Sequence, residues 1–123
     1  MTGTTEPRAL TLFVTATPFG AESPVTALRL AEAALAKGYP VNLFLSADAV
    51  YGASAGQKAA GLPQVGERLE ALVARGARVD LCGSCLQLRG LKQDSRVAGP
   101  QPSSLKNLFA MIRDSKAFIA LGR

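Results

Sequence analysis

Short apolar runs alternate along this chain with stretches in which apolar residues recur every three or four positions. The runs are typical of buried strands, and the recurring positions are typical of helices that bury one face. Ser23, followed by Pro24, is predicted to be the N-cap of the first helix, which Gly38 ends. Strands are predicted at residues 9–15, 41–45, 78–81 and 117–121. The second helix is predicted to begin near Val65, and Ser103 or Ser104 is predicted to cap the last helix.

This alternation of strands and helices predicts an α/β fold with a mostly parallel sheet. We expect a single flavodoxin-like, three-layer domain of four to five strands, with the four main strands in the order 2-1-3-4 and right-handed crossovers. Residues 1–8 are predicted to be a flexible N-terminal stub, and residues 9–123 are predicted to form the domain. The connections 46–64 and 91–102 are predicted to be loops, and long loops of compact domains are often functional.

The two cysteines of the chain, Cys82 and Cys85, directly follow the third predicted strand. Ligands and chemistry collect at the carboxyl ends of strands in α/β proteins. Backbone N–H groups there, together with Arg89, can stabilise a thiolate and so lower the pKa of a cysteine. If the segment after Cys82 is helical, three residues is close to one turn, and the two sulfurs can face each other. We therefore predict a reactive sulfur at Cys82, with Cys85 either as its redox or resolving partner or as a passive thiol.

Other residues near the predicted strand ends have two interpretations each. Gly83 and Ser84 would let the backbone approach a bound anion, although turn glycines also occur without a ligand. Arg89 could bind an anionic sulfur species or be a solvated charge at a helix end. Asp48 could manage a proton or orient a neighbour, or it could cap a turn. Tyr51 is predicted to pack at a subunit contact.

The composition excludes several classes of function. The 123 residues contain no histidine, which excludes Ser-His-Asp and Cys-His mechanisms and leaves a zinc site short of ligands. Because of that shortage of ligands we expect no metal. Gly-x-Gly-x-x-Gly and Walker patterns are absent, so we expect no cofactor. The net charge of +5 is spread along the chain, and aromatic residues make up 6%, which argues against a nucleic-acid partner. We find neither a membrane span nor a signal-peptide pattern, and we expect a cytoplasmic protein.

Four stretches of the sequence together resemble the DsrE/DsrF-like family, which includes the TusD-type sulfur-relay proteins. Phe19 takes the place of the family's usual tyrosine in Pro-Tyr-Gly, and Ala49 takes the place of its usual glycine. The stretches are Pro18-Phe19-Gly20, Ala27-Leu28-Arg29-Leu30-Ala31, Asp48-Ala49-Val50-Tyr51-Gly52-Ala53, and Cys82 with Arg89-Gly90. The resemblance runs from the first strand to the last.

The resemblance implies a Rossmann-like domain that assembles into homotrimers or homohexamers. It also implies a sulfurtransferase that carries sulfane sulfur as a persulfide on Cys82, the position eight residues before Gly90. Its partners would be sulfur-donor and sulfur-acceptor proteins or small sulfur compounds, and Phe19 and Gly20 would support the site. Two alternatives stay open, namely a dithiol redox protein that uses Cys82 and Cys85, and a non-catalytic assembly subunit.

Overall fold

A computed structural model describes residues 8–18, 21–57 and 64–122 of the chain. Strands and helices alternate, as the apolar pattern predicts. The strands are β1 Ala9–Val14, β2 Val41–Leu45, β3 Arg78–Cys82, β4 Gln101–Ser103 and β5 Ser115–Leu121. The helices are α1 Ser23–Ala36, α2 Val65–Ala74, α3 Gly83–Leu88 and α4 Leu105–Arg113, with 3₁₀ helices at Ala47–Ala53 and Gln93–Ser95.

The five strands form one sheet in the order β4-β3-β2-β1-β5, and every neighbouring pair is parallel. The predicted α/β fold with a parallel sheet is thereby confirmed. The predicted order 2-1-3-4 is wrong: its fourth strand, 117–121, is β5, and the same four strands are observed in the order β3-β2-β1-β5. Consecutive strands lie side by side from β1 to β4, so each connection advances by one strand. The helices of the first two connections, α1 and α2, pack against each other. The chain then returns to the free edge of β1, where the buried hydroxyls of Thr11 and Ser115 are hydrogen bonded to each other.

Side chains of successive strand residues point to opposite faces of the sheet, and each face has its own core. The larger core contains Leu12, Leu43 and Leu81 and is covered by α1 and α2. The smaller core consists of Phe44 with Leu108 and Met111 of α4. Right-handed crossovers explain this arrangement, because a connection that reverses direction along the sheet must pass over the opposite face. The three layers are therefore α1 and α2, the sheet, and α4.

Three local predictions differ from the structure. Ser23 is the first residue of α1 rather than its N-cap, since its hydroxyl donates to the carbonyl of Gly122. The segment predicted as a loop after β2 contains the 3₁₀ helix Ala47–Ala53. The predicted loop 91–102 contains the start of β4, a short edge strand that tolerates Pro102, since an edge strand leaves N–H groups unpaired.

Other predictions fall on residues that the structure does not describe. These include most of the predicted stub, of which only Arg8 is described, and both Phe19 and Gly20. Within the described ranges, no helix is long and apolar enough to cross a membrane.

Candidate functional site

The carboxyl ends of β2 and β3 meet at one edge of the sheet. The two strands pair in parallel with Leu45 opposite Leu81. The residues that follow these positions, Ser46 and Cys82, are therefore brought to the same edge. Cys82 ends β3 and is also the N-cap of α3, and Cys85 is the third residue of that helix. Both cysteines are free thiols and are partly buried.

Helix α3 brings the two cysteines together. Cys82 and Cys85 are three residues apart, one helical turn, and the side chain of Cys82 helps to lower the pKa of the Cys85 thiol. Their apolar surroundings differ, however. Cys82 packs against the smaller core, whereas Cys85 packs against the larger core. The pair therefore lies at the rim of the sheet, between its two faces.

The turn after β2 supplies hydrogen-bond partners to Cys85. The backbone N–H of Ala47 donates to the sulfur at 3.2 Å, and the hydroxyl of Ser46 lies 3.6 Å from the same sulfur. Ala47 has a φ of 51°, in the left-handed region that residues other than glycine rarely adopt. In this conformation the N–H of Ala47 donates to the sulfur of Cys85.

These contacts change the acidity of Cys85. Burial alone raises the pKa of its thiol, because the interior disfavours the charged form. Hydrogen bonds with Ser46 and Cys82, the amide of Ala47 and the positive charge of Arg89 act in the opposite direction. Together they outweigh burial, so the pKa of Cys85 is lowered. The site therefore favours a thiolate at this cysteine.

Arg89 is held in place beside the thiols. Its Nε and Nη2 atoms donate to one carboxylate oxygen of Asp48 at 3.0 and 2.8 Å, and its Nη1 atom donates to the Cys85 carbonyl at 3.2 Å. The guanidinium carbon lies 5.9 Å from the centre of the Tyr51 ring, a cation–π distance. The hydrogen bonds that Arg89 donates to Asp48 raise the pKa of Arg89, so the guanidinium is a fixed positive charge.

The structure thus brings Cys82, Cys85, Asp48, Tyr51 and Arg89 into one cluster, through contacts that link each residue to the next. Asp48 orients Arg89, which was one of its two interpretations. Tyr51, which was predicted to pack at a subunit contact, lies under Arg89 of its own chain.

Gly83 and Ser84 were predicted to let the backbone approach an anion, and the structure shows what surrounds each of them. A Cβ atom added to Gly83 would lie 3.1 Å from the carbonyl oxygen of Ser103, so the glycine allows α3 to approach β4 closely. Ser84 is exposed on α3. The predicted supporting residues Phe19 and Gly20 lie outside the described residues.

Ser46 and Ala47 are contributors that the sequence analysis missed. Ser46 could have been found, because it directly follows a strand that ends at the same edge as β3. Ala47 could not, because its contribution is a backbone N–H and its left-handed conformation has no signature in an alanine side chain.

An open cleft of about 900 Å³ lies at the same edge of the sheet. Asp48 forms part of its wall, together with Thr15, Thr26 and Leu121. Asp48 therefore belongs both to the ion pair with Arg89 and to the wall of the cleft. Among the described residues, no group of three or more acidic or cysteine side chains is arranged to hold a metal ion.

Comparisons with known proteins give consistent results. The chain is 35% identical over 105 residues to an uncharacterized protein of Methanocaldococcus jannaschii, covering 85% of this chain and 92% of that protein. It is 33% identical over 106 residues to an uncharacterized protein of Methanopyrus kandleri, covering 86% and 88%.

A solved structure shares this fold. The crystal structure of the ychN protein from E. coli superimposes with a TM-score of 0.83 at 28% identity, covering 91% of this chain and 98% of that one. The model of the DsrE/DsrF-like family matches residues 8–121, which is nearly the whole chain. The chain therefore belongs to the DsrE/DsrF-like family.

Proposed function

We propose that this protein is a sulfur carrier that holds sulfane sulfur as a persulfide on Cys82 and passes it to a partner thiol. The observation that carries the proposal is the pair of free cysteines, one helical turn apart, at the carboxyl edge of the sheet. Membership in the DsrE/DsrF-like family supports it, since sulfur relay is the chemistry that the resemblance implies.

The surroundings of the pair suit this chemistry. Sulfur transfer between thiols proceeds by attack of a thiolate on a sulfur–sulfur bond, and its rate depends on the thiolate fraction and on access. Hydrogen bonds from the Ser46–Ala47 turn stabilise a thiolate at this pair. Arg89 adds a fixed positive charge that favours anionic sulfur compounds such as polysulfide.

A second candidate function is a dithiol redox protein in which Cys82 and Cys85 cycle between the free thiols and a disulfide. Their spacing of one helical turn favours this candidate as well, because residues three apart on a helix are neighbours on its surface. The two functions differ in their products. A carrier gains sulfur atoms, whereas a dithiol couple loses two hydrogens.

We also propose a cytoplasmic homo-oligomer, in line with the family's trimers and hexamers. Large apolar side chains on the α4 side of the sheet are exposed in the single chain, notably Phe109 at 65% and Leu105 at 56% of their surface. These two residues lie one turn apart on α4, and the half-exposed Phe118 lies on the neighbouring β5. Exposed apolar patches of this kind mark protein contacts.

Intact mass spectrometry of the reduced protein after exposure to inorganic polysulfide tests the main proposal, with Cys82→Ser and Cys85→Ser alongside. The expected result is a gain of sulfur that dithiothreitol reverses and that peptide mapping locates on Cys82 in the unsubstituted protein. Loss of two hydrogens without added sulfur would favour the dithiol redox protein. No change in mass would contradict both and leave an assembly role.

A further inference from the structure

The two cysteines of the pair have unequal surroundings. Cys85 receives the backbone N–H of Ala47 at 3.2 Å and lies 3.6 Å from the hydroxyl of Ser46. In the described part of the chain, no backbone N–H donates to the sulfur of Cys82, which packs against the smaller core. Groups that stabilise negative charge on sulfur therefore converge on Cys85.

The conformation of Ala47 gives this difference additional weight. Its φ of 51° is unfavourable for a residue with a Cβ atom, and such strain persists only where the surrounding structure holds it. Ala47 is partly buried, and its N–H donates to Cys85, which is 38 positions away along the chain. The strained amide and the sulfur of Cys85 thus form one structural unit.

We propose that Cys85 is the thiolate that captures sulfur, that Cys82 is the thiol that receives it and presents it to the partner, and that Ser46 and Ala47 are the positioning residues for the capture step. This inference rests on the proposed function and divides its chemistry between the two cysteines.

Capture transfers a neutral sulfur atom without net oxidation. The Cys85 thiolate attacks the outer sulfur of a polysulfide or donor persulfide, a new sulfur–sulfur bond forms, and the old bond breaks with its electron pair leaving on the donor thiolate. The products are Cys85–S–S⁻ and the donor thiolate.

Handover to Cys82 is a second exchange of the same kind. The sulfur of Cys82 attacks the outer sulfur of the Cys85 persulfide, the old sulfur–sulfur bond breaks with its electron pair on Cys85, and the thiol proton of Cys82 passes to water. The products are Cys82–S–S⁻, the Cys85 thiolate and a solvated proton. The direction follows from the surroundings, because the cysteine whose thiolate is better stabilised is the better leaving group. Attack on the inner sulfur would instead give a Cys82–Cys85 disulfide and HS⁻.

The test measures the initial rate of sulfur gain from inorganic polysulfide, with peptide mapping to locate the sulfur and glutathione as the acceptor thiol. Cys85→Ser is expected to slow capture at least about tenfold, since the stabilised thiolate is lost. Cys82→Ser is expected to capture sulfur at the normal rate, retain it on Cys85 and deliver it slowly. Ser46→Ala is expected to slow capture about threefold, the effect of one weak hydrogen bond.

Ser95→Ala is the matched control for Ser46→Ala, because its exposed hydroxyl donates to Asp94 at 3.4 Å and has no hydrogen bond to either cysteine within the described residues, and its capture rate is expected to stay unchanged. Circular dichroism of each variant verifies that it is folded. Capture by Cys85→Ser at the normal rate, with the sulfur on Cys82, would overturn the inference and leave the proposed function standing. Absence of captured sulfur in the unsubstituted protein would overturn the proposed function itself.

Discussion

The backbone N–H of Ala47 donates a hydrogen bond to the sulfur of Cys85 across 3.2 Å. Ala47 follows β2, and Cys85 follows β3, so the bond joins the ends of two neighbouring strands. It depends on β2 and β3 lying side by side, since a strand inserted between them would separate the two residues by about 5 Å more. The order of the strands is therefore part of the chemistry of the site.

The reactivity of Cys85 toward iodoacetamide is expected to reach half its maximum at a lower pH in the folded Cys82→Ser variant than in the same chain unfolded in urea. The pKa of Cys85 is lowered because the hydrogen bonds and the charge of Arg89 outweigh its burial. A lowered pKa leaves more thiolate at a given pH, and the reactivity is lost as the pH falls through the folded value. Asp48, Tyr51 and Arg89 are the other titratable groups of the cluster. Identical midpoints in the folded and unfolded chain would contradict the prediction.

Substitutions of Asp48 are expected to separate its charge from its positioning of Arg89. Asp48→Asn keeps an oxygen that can accept from Arg89 and removes a negative charge near Cys85, so it is expected to lower the midpoint of iodoacetamide reactivity further. Asp48→Ala removes the anchor of Arg89 and is expected to raise that midpoint. The side chain of Asp48 is 58% exposed, so both variants are expected to change the free energy of unfolding by less than about 1 kcal/mol.

Arg78→Ala is expected to lower the free energy of unfolding by about 2 kcal/mol, because it leaves a buried carboxylate without its main partner. Asp80 is fully buried on β3, and Arg78 binds both of its oxygens, at 3.1 and 2.9 Å. Urea unfolding at neutral pH measures the loss. Arg113→Ala removes the exposed ion pair with Asp114 and serves as the control, with an expected change of at most about 0.5 kcal/mol. Equal losses in the two variants would show that burial of Asp80 has no special cost.

Phe109→Asp is expected to break up the proposed oligomer while leaving the single chain folded. Phe109 is 65% exposed in the single chain, so a charge there meets water in the monomer but would be buried in an assembly. Size-exclusion chromatography with light scattering measures the mass, with three or six copies of the 12.8 kDa chain expected for the unsubstituted protein.

Ala71→Asp is the matched control for that experiment, because it places the same charge at an exposed position on α2, on the other side of the sheet. Its oligomer is expected to remain intact. An unchanged mass for Phe109→Asp would remove this patch of α4 from the proposed interface.

The sequence predicts the layers of the fold well, because apolar periodicity reports burial directly. The strand 41–45 and the helix that begins near Val65 agree with β2 and α2. The order of the strands was less accessible, since it depends on which edge of β1 each later strand joins. That choice is made by contacts between distant residues, such as the hydroxyls of Thr11 and Ser115. Strand β4 was missed because three residues that include a proline give no apolar pattern.

The same distinction applies to the candidate site. Cys82, Cys85 and Arg89 carry chemistry in their side chains and can be found from the sequence. The pairing of Arg89 with Asp48 spans 41 residues and required the fold. With the predicted order 2-1-3-4, β1 would have separated β2 from β3, so a direct contact between Ser46 and Cys85 was not expected. The wrong strand order thus explains why Ser46 was missed, whereas Ala47 was missed because its contribution is a backbone N–H.

The donor at position 47 belongs to the main chain, and this has a consequence for mutagenesis. An alanine scan passes over the position because the residue is already alanine. Ala47→Gly would keep the N–H and accept the positive φ readily. Only Ala47→Pro deletes the donor, and proline also forbids the observed φ of 51°. A map of this site drawn from side-chain truncations would therefore show a blank at one of its closest contacts to sulfur.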